Sequence, residues 1–140
     1  MHLEKQFDVE RSIDSAIEIA CRDETLIGLF PETKTEIVES LGNRRTTRSL
    51  YTALGREGAA TFHFTYLEGG DIEFEKVCDG NVWRQLTGSL TFREQGERTR
   101  VRIAMDGRTR PLVPEFTIKG VMRDQIEEMA TALRERIELG

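Results

Sequence analysis

Apolar residues alternate with polar ones through the middle of this chain, and recur at three- and four-residue spacing only towards its two ends. Leu3, Phe7 and Val9 share one phase with Lys5 between them, while Glu4, Gln6 and Asp8 take the other, which predicts a half-buried first strand. Two short helical pieces follow. Ser12 is placed to cap Ile13–Ala20, and Asp23 to cap residues 24–30, which Pro31 ends. Six further strands are predicted over residues 35–41, 45–54, 60–67, 71–78, 82–93 and 98–105, the second closing on Leu54. Glycine sits in or beside each turn, where tight hairpins need a positive φ, and connections this short impose antiparallel neighbours.

The strands declare their faces. Phe62, Phe64 and Tyr66 oppose Thr61, His63 and Thr65; Ile72 and Phe74 oppose Glu73 and Glu75. Val82, Leu86, Leu90 and Phe92 oppose Trp83, Gln85, Thr87 and Ser89, and Val101, Ile103 and Met105 oppose Arg100, Arg102 and Ala104. One face is apolar and aromatic, the other wet. The closing amphipathic segment, from Leu112 to Leu139, carries Ile118, Met122, Ile126, Met129, Leu133 and Ile137 as one stripe, with Pro114 in its first turn. Its wet face offers Arg123–Glu127 and Arg134–Glu138 as i,i+4 pairs. A helix about 40 Å long can cross the whole sheet. The expected fold class is α+β: a seven-stranded curved antiparallel sheet, two short helices after the first strand, and a long C-terminal helix across the sheet.

The 140 residues fit one domain with a proper core. The net charge of -5 argues against non-specific nucleic-acid binding, because phosphate backbones select basic surfaces. Neither a signal-peptide core nor an apolar run long enough to span a bilayer is present. Cys21 and Cys78 stand in unlike contexts without metal spacing and are expected to be reduced and half-buried, consistent with a cytoplasmic protein.

The element order β-α-α-β-β-β-β-β-β-α resembles the START-like superfamily, also called SRPBCC, helix-grip or Bet v 1-like. The pieces that carry the resemblance are Leu29-Phe30-Pro31, the segment from Asp79-Gly80-Asn81-Val82-Trp83-Arg84 to Phe92, and the closing helix from Val113. They look most like the polyketide cyclase/dehydrase and coenzyme Q-binding branches. The resemblance implies a hydrophobic cavity for lipids, isoprenoids or quinones, polyketides or aromatic rings. Glu68-Gly69-Gly70-Asp71 is too short to match the glycine-rich loop of the plant branch.

Candidate ligand contacts follow from the inner phase: Phe62, Phe64, Tyr66, Phe74, Leu86, Met105, Met122 and Met129 as wall, with Arg84 and Gln125 as polar contacts. Arg84, in phase with Val82 and Leu86, could hold a carboxylate, phosphate or quinone oxygen. A β-bulge near Asn81 would turn it outward instead, and snorkelling would leave it at the cavity mouth. Gln125 lies beside Met122 and Met129, or at the edge of their stripe. No nucleophile–base pair, carboxylate pair or metal-ligand spacing is visible, so no catalytic residue, metal or cofactor is assigned. His2 is terminal and expected to be mobile; His63 falls on the wet face. Arg98, Arg100 and Arg102 are expected to pair with the acids of the first strand. Arg44, Arg45 and Arg48 are candidates for docking on a protein or ribonucleoprotein. The expected function is binding or transport of a hydrophobic small molecule. A polyketide cyclase or dehydratase and an interaction module are the alternatives.

Overall fold

The structure, a computed structural model, describes residues 1–53 and 55–140; Leu54, the expected last residue of the third strand, lies outside the described residues. Seven strands form one antiparallel sheet: β1 (His2–Val9), β2 (Lys34–Leu41), β3 (Arg44–Ala53), β4 (Arg56–Tyr66), β5 (Ile72–Lys76), β6 (Trp83–Gln95) and β7 (Arg98–Thr109). Their order across the sheet is β1-β7-β6-β5-β4-β3-β2. Sheet neighbours are consecutive in sequence except where β1 lies against β7, with Leu3 opposite Met105 and Phe7 opposite Val101.

Between β1 and β2 run α1 (Ile13–Ala20) and α2 (Asp23–Ile27). Ser12 caps α1 as expected, its Oγ accepting from the Ser15 amide at 3.3 Å. α2 is shorter than the sequence suggested. Arg22 takes the extended cap position without a side-chain cap, Asp23 is the first helical residue, and Gly28 ends the helix. Leu29 and Phe30 then leave the helix and turn into the core, where they are buried.

The inner face of the sheet carries the alternation read from the sequence: Phe62, Phe64, Ile72, Phe74, Leu86, Leu90, Val101, Ile103 and Met105 are all buried. Phe74 faces Gly88, which in turn faces Met105. A Cβ at Gly88 would stand 2.2 Å from Phe74 Cζ and 2.7 Å from the Ala104 carbonyl oxygen, so only glycine lets the ring lie flat on β6.

At Arg84 the outward alternative holds, through a bulge close to Asn81, and the inward phase is corrected. Between Trp83 and Gln85 the β6–β7 register shifts, with Trp83 opposite Thr109 and Gln85 opposite Arg108. The bulge inserts Arg84 as an extra residue, exposes it, and turns Trp83 inward to a buried seat beside Gly107.

The last element, α3 (Phe116–Leu139), spans about 36 Å at 1.5 Å per residue. It begins later than expected. Pro114 precedes the N-cap Glu115, because residues 110–113 form a turn in which Val113 donates to Arg110 and Thr109 Oγ1 donates to the Val113 carbonyl at 2.6 Å. Met122, Ile126, Met129, Leu133 and Ile137 form its buried stripe. The close backbone neighbours of α3 are β1 and α1. Lys5, inward on β1, reaches Glu127 Oε1 at 2.8 Å, and Arg11 Nε donates to the Ile137 carbonyl at 3.1 Å. The expected i,i+4 pairs do not form: Glu127 turns to Lys5, and Glu138 Oε1 accepts from the Glu10 amide. Fastened along one edge, the helix stands clear of the strands at the middle of the sheet.

Candidate functional site

That clearance is a cavity of about 570 Å³, within the range of small-molecule sites. Leu29 and Phe30, released where α2 stops at Gly28, close one side. Phe62, Leu86, Val82 and Trp83 form the sheet wall, and Ile118, Val121, Met122, Gln125 and Met129 the helix wall. Glu32, Asp79, Asp124 and Glu128 also line it, and all four are exposed. Lys76 is half-buried; it continues the inward phase of Ile72 and Phe74, and its Nζ donates to the Val77 carbonyl at 3.2 Å.

The floor is a phenylalanine ladder. Phe30 stacks on Phe62 at 5.3 Å between centroids, Phe62 meets Phe64 at 6.1 Å, and Phe64 meets Phe74 at 5.6 Å. The cavity therefore lies on one side of Phe62, and close-packed core on the other.

This geometry divides the residues expected from the sequence. Phe62, Leu86, Met122, Gln125 and Met129 line the cavity together. Phe64, Phe74 and Met105 lie in the solid core behind them and do not line it. Tyr66 is also away from the lining, under Arg45 at 5.8 Å from its ring centroid. Its buried hydroxyl has no partner, and burial, with Cys21 and Asp23 nearby, pushes it up to about 12. Arg84 is outside altogether, for the bulge described above. Trp83, Phe30, Thr33, Ser49 and Lys76 were missed. Lys76 had a signal in the period-two phase of β5; Trp83 had none, since an extra residue in a strand leaves no mark on composition.

The remaining polar candidates are engaged elsewhere. His2 on the outer edge of β1 has two partners: its Nδ1 meets Asp106 Oδ1 at 2.6 Å and its Nε2 meets Glu4 Oε1 at 2.7 Å, and these contacts raise its pKa above the ordinary value. His63 is on the outer face, with Nδ1 2.9 Å from Thr46 Oγ1. Arg98 and Arg100 pair with Glu10 and Asp8 at 3.0 Å each, and Arg102 pairs with Glu4, as the strand order predicted. The Arg102 hydrogen bond, helped by His2, lowers Glu4 from an ordinary 4.5 to about 2.

Arg44, Arg45 and Arg48 do not make one surface. Arg45 shares the inner face with its cross-strand partner Phe64, and its Nε lies 3.5 Å from Asp23 Oδ1. Arg44 and Arg48 oppose Thr65 and Thr61 on the other face. Cys21 and Cys78 are free and half-buried. Burial raises the Cys21 thiol. Among the described residues, no group of three His, Cys, Asp or Glu is placed to hold a metal, and no helix is long and apolar enough to cross a membrane.

A curved antiparallel sheet gripping a long C-terminal helix over a cavity is the helix-grip fold of START-like proteins, and solved structures bear this out. The chain is similar to a START superfamily protein of Mycobacterium smegmatis, at TM-score 0.77 and 20% identity over 99% of this chain and 97% of that one. It is similar to the Zhui aromatase/cyclase of Streptomyces sp. R1128, at TM-score 0.76 and 16% identity over 99% and 91%. A STAR-related lipid transfer protein fragment of Xanthomonas axonopodis matches at TM-score 0.68 and 14% identity over 97% and 85%. No family model matches the chain, and no curated protein matches it in sequence. At these identities the likeness establishes the fold.

Proposed function

We propose that this protein, as one START-like domain, binds and carries a hydrophobic small molecule of lipid, isoprenoid, quinone or polyketide type in the cavity between α3 and the sheet. The observation that carries the reading is the cavity itself: about 570 Å³ between Phe62, Trp83, Leu86, Met122 and Met129, where a close-packed domain of this size would have side chains. Affinity comes from apolar burial, at about 25 cal/mol per Å². The methionines let the wall adapt to the shape of the ligand. Lipid-transfer and aromatase/cyclase proteins with the same fold support a hydrophobic cargo. Two free cysteines suit the cytoplasm, where we place the protein.

Native mass spectrometry of protein purified from its own host tests the proposal. A reproducible extra mass, removed by organic solvent, supports it. Protein that is empty from its host and takes up no apolar probe in vitro overturns it.

A second reading, cyclisation or dehydration of a polyketide-like chain, is favoured by one observation: Ser49, Lys76 and Gln125 place polar groups beside the apolar wall of Phe62, Trp83, Leu86, Met122 and Met129. Such a chamber can fold a flexible substrate into a reactive shape before any acid or base acts. A poly-β-ketone incubated with the protein then yields a different product profile from that without it; an unchanged profile removes this reading and leaves the carrier reading standing.

A further inference from the structure

Three hydroxyls lie in a row beside the cavity, and counting their protons fixes what the last one offers. Thr33 Oγ1 lies 2.8 Å from the Phe30 carbonyl oxygen, which can only accept, so the one Thr33 hydroxyl proton is spent there. Thr33 Oγ1 and Thr35 Oγ1 are 2.9 Å apart; that bond needs a proton, and Thr35 must supply it. Thr35 Oγ1 and Ser49 Oγ are 2.7 Å apart, and by the same count Ser49 must donate. Ser49 and Thr35 are direct cross-strand partners, so this last bond is held by the β2–β3 ladder. Ser49 is 3% exposed and lines the cavity. With its proton committed to Thr35, its oxygen has only lone pairs left for a neighbour.

We propose that Ser49 is a specificity-determining residue that selects, among apolar ligands, those carrying a hydrogen-bond donor such as a hydroxyl. The inference rests on the cavity being a ligand site and adds what that ligand must present. A chain of hydroxyls all pointing one way polarises its members, so the terminal oxygen is a better acceptor than a lone serine. A ligand carbonyl or ether oxygen set against Ser49 would meet lone pairs with lone pairs and gain nothing for its lost hydration. A phenolic or alcoholic O–H would be matched.

Three aromatics of similar size test this by titration calorimetry: 2-naphthol, a donor; 2-methoxynaphthalene, its ether; and 2-acetonaphthone, an acceptor. In Ser49→Ala the ratio of naphthol to ether affinity is expected to fall on the order of fivefold from its wild-type value. Thr35→Val gives the readout that a merely structural role would not move, because Thr35 is the partner of Ser49 and does not itself line the cavity. Without Thr35 as acceptor, the Ser49 proton is free to point into the cavity. The preference should shift from naphthol towards the ketone, with Ser49 itself unchanged. If Ser49→Ala weakens all three ligands alike, or the wild-type ratios survive both substitutions, the donor selection is wrong and the cavity reading stands. If none of the three binds wild-type protein, the cavity reading falls and takes this one with it.

Discussion

Met129→Trp separates an open chamber from a filled core. Met129 is fully buried on the inner stripe of α3 and borders the cavity with Met122 and Leu86. Forcing an indole into close-packed core costs about 1–3 kcal/mol. For a chain of this length each kcal/mol moves Tm by about 3–4 °C, so a filled interior predicts a fall of roughly 3–12 °C. The cavity has about 570 Å³ to receive the ring. The expected change in Tm is therefore under about 3 °C, because the overpacking cost does not arise. Ligand binding should suffer instead. If the indole takes away about 100 Å² of apolar contact from a neutral probe such as N-phenyl-1-naphthylamine, the loss is about 2.5 kcal/mol, or roughly sixtyfold in Kd. Differential scanning calorimetry and probe titration on the same two proteins read both quantities. A Tm fall above about 5 °C, with probe binding unchanged or absent in the wild type, would refute the reasoning.

Three further outcomes follow from separate parts of the molecule. Gly88→Ala should lower stability by about 1–3 kcal/mol in thermal or urea denaturation, because the new Cβ meets both Phe74 and the Ala104 backbone oxygen; an unchanged midpoint would mean that β6 and β7 part easily. Gly120→Ala should do the reverse, raising stability by about 0.5–1 kcal/mol, since Gly120 is an exposed position inside α3 with nothing within 4 Å of its missing Cβ. Acidification should weaken the β1–β7 edge. The stabilising share of Glu4 is complete above its ordinary 4.5 and is lost as pH falls through its folded value of about 2, with Asp8 moving the same way. His2, raised above 6.5, acts oppositely, contributing fully below that value and fading as pH rises through its folded pKa. Glu4→Gln should flatten the acid limb of a pH–Tm profile; a limb of unchanged steepness would place the acid sensitivity elsewhere.

Much of this architecture could be read from period-two alternation. The phases of Phe62, Phe64, Phe74, Leu86 and Met105 were legible because each strand buries one face only, and the pairing of Arg100 with Asp8 followed from the strand order. What alternation cannot carry is an interruption of itself. The bulge at Arg84 moved one residue out and brought Trp83 in; a bulge near Asn81 could be named as an alternative, but no residue type decides whether one forms. Depth was the other loss. Phe62 and Phe64 look equivalent in sequence, yet one borders the cavity and the other is solid core, because which part of the sheet α3 covers is settled by its tethers to β1 and α1. The hydroxyl row was hidden for a third reason. Thr33, Thr35 and Ser49 are ordinary strand and turn residues until the β2–β3 register sets them side by side.

The pairing of β1 with β7 also governs when the molecule can form. During synthesis β1 is made about a hundred residues before its hydrogen-bonding partner. Until then β2 to β6 can zip only as a meander of hairpins whose aromatic face has no lid, since α3 follows β7. The nascent chain must keep Phe62, Phe64 and Phe74 out of foreign contacts until β7 and α3 have followed. Once β7 docks on β1, Lys5 and Arg11 are in place to fasten the 24-residue α3 over the sheet.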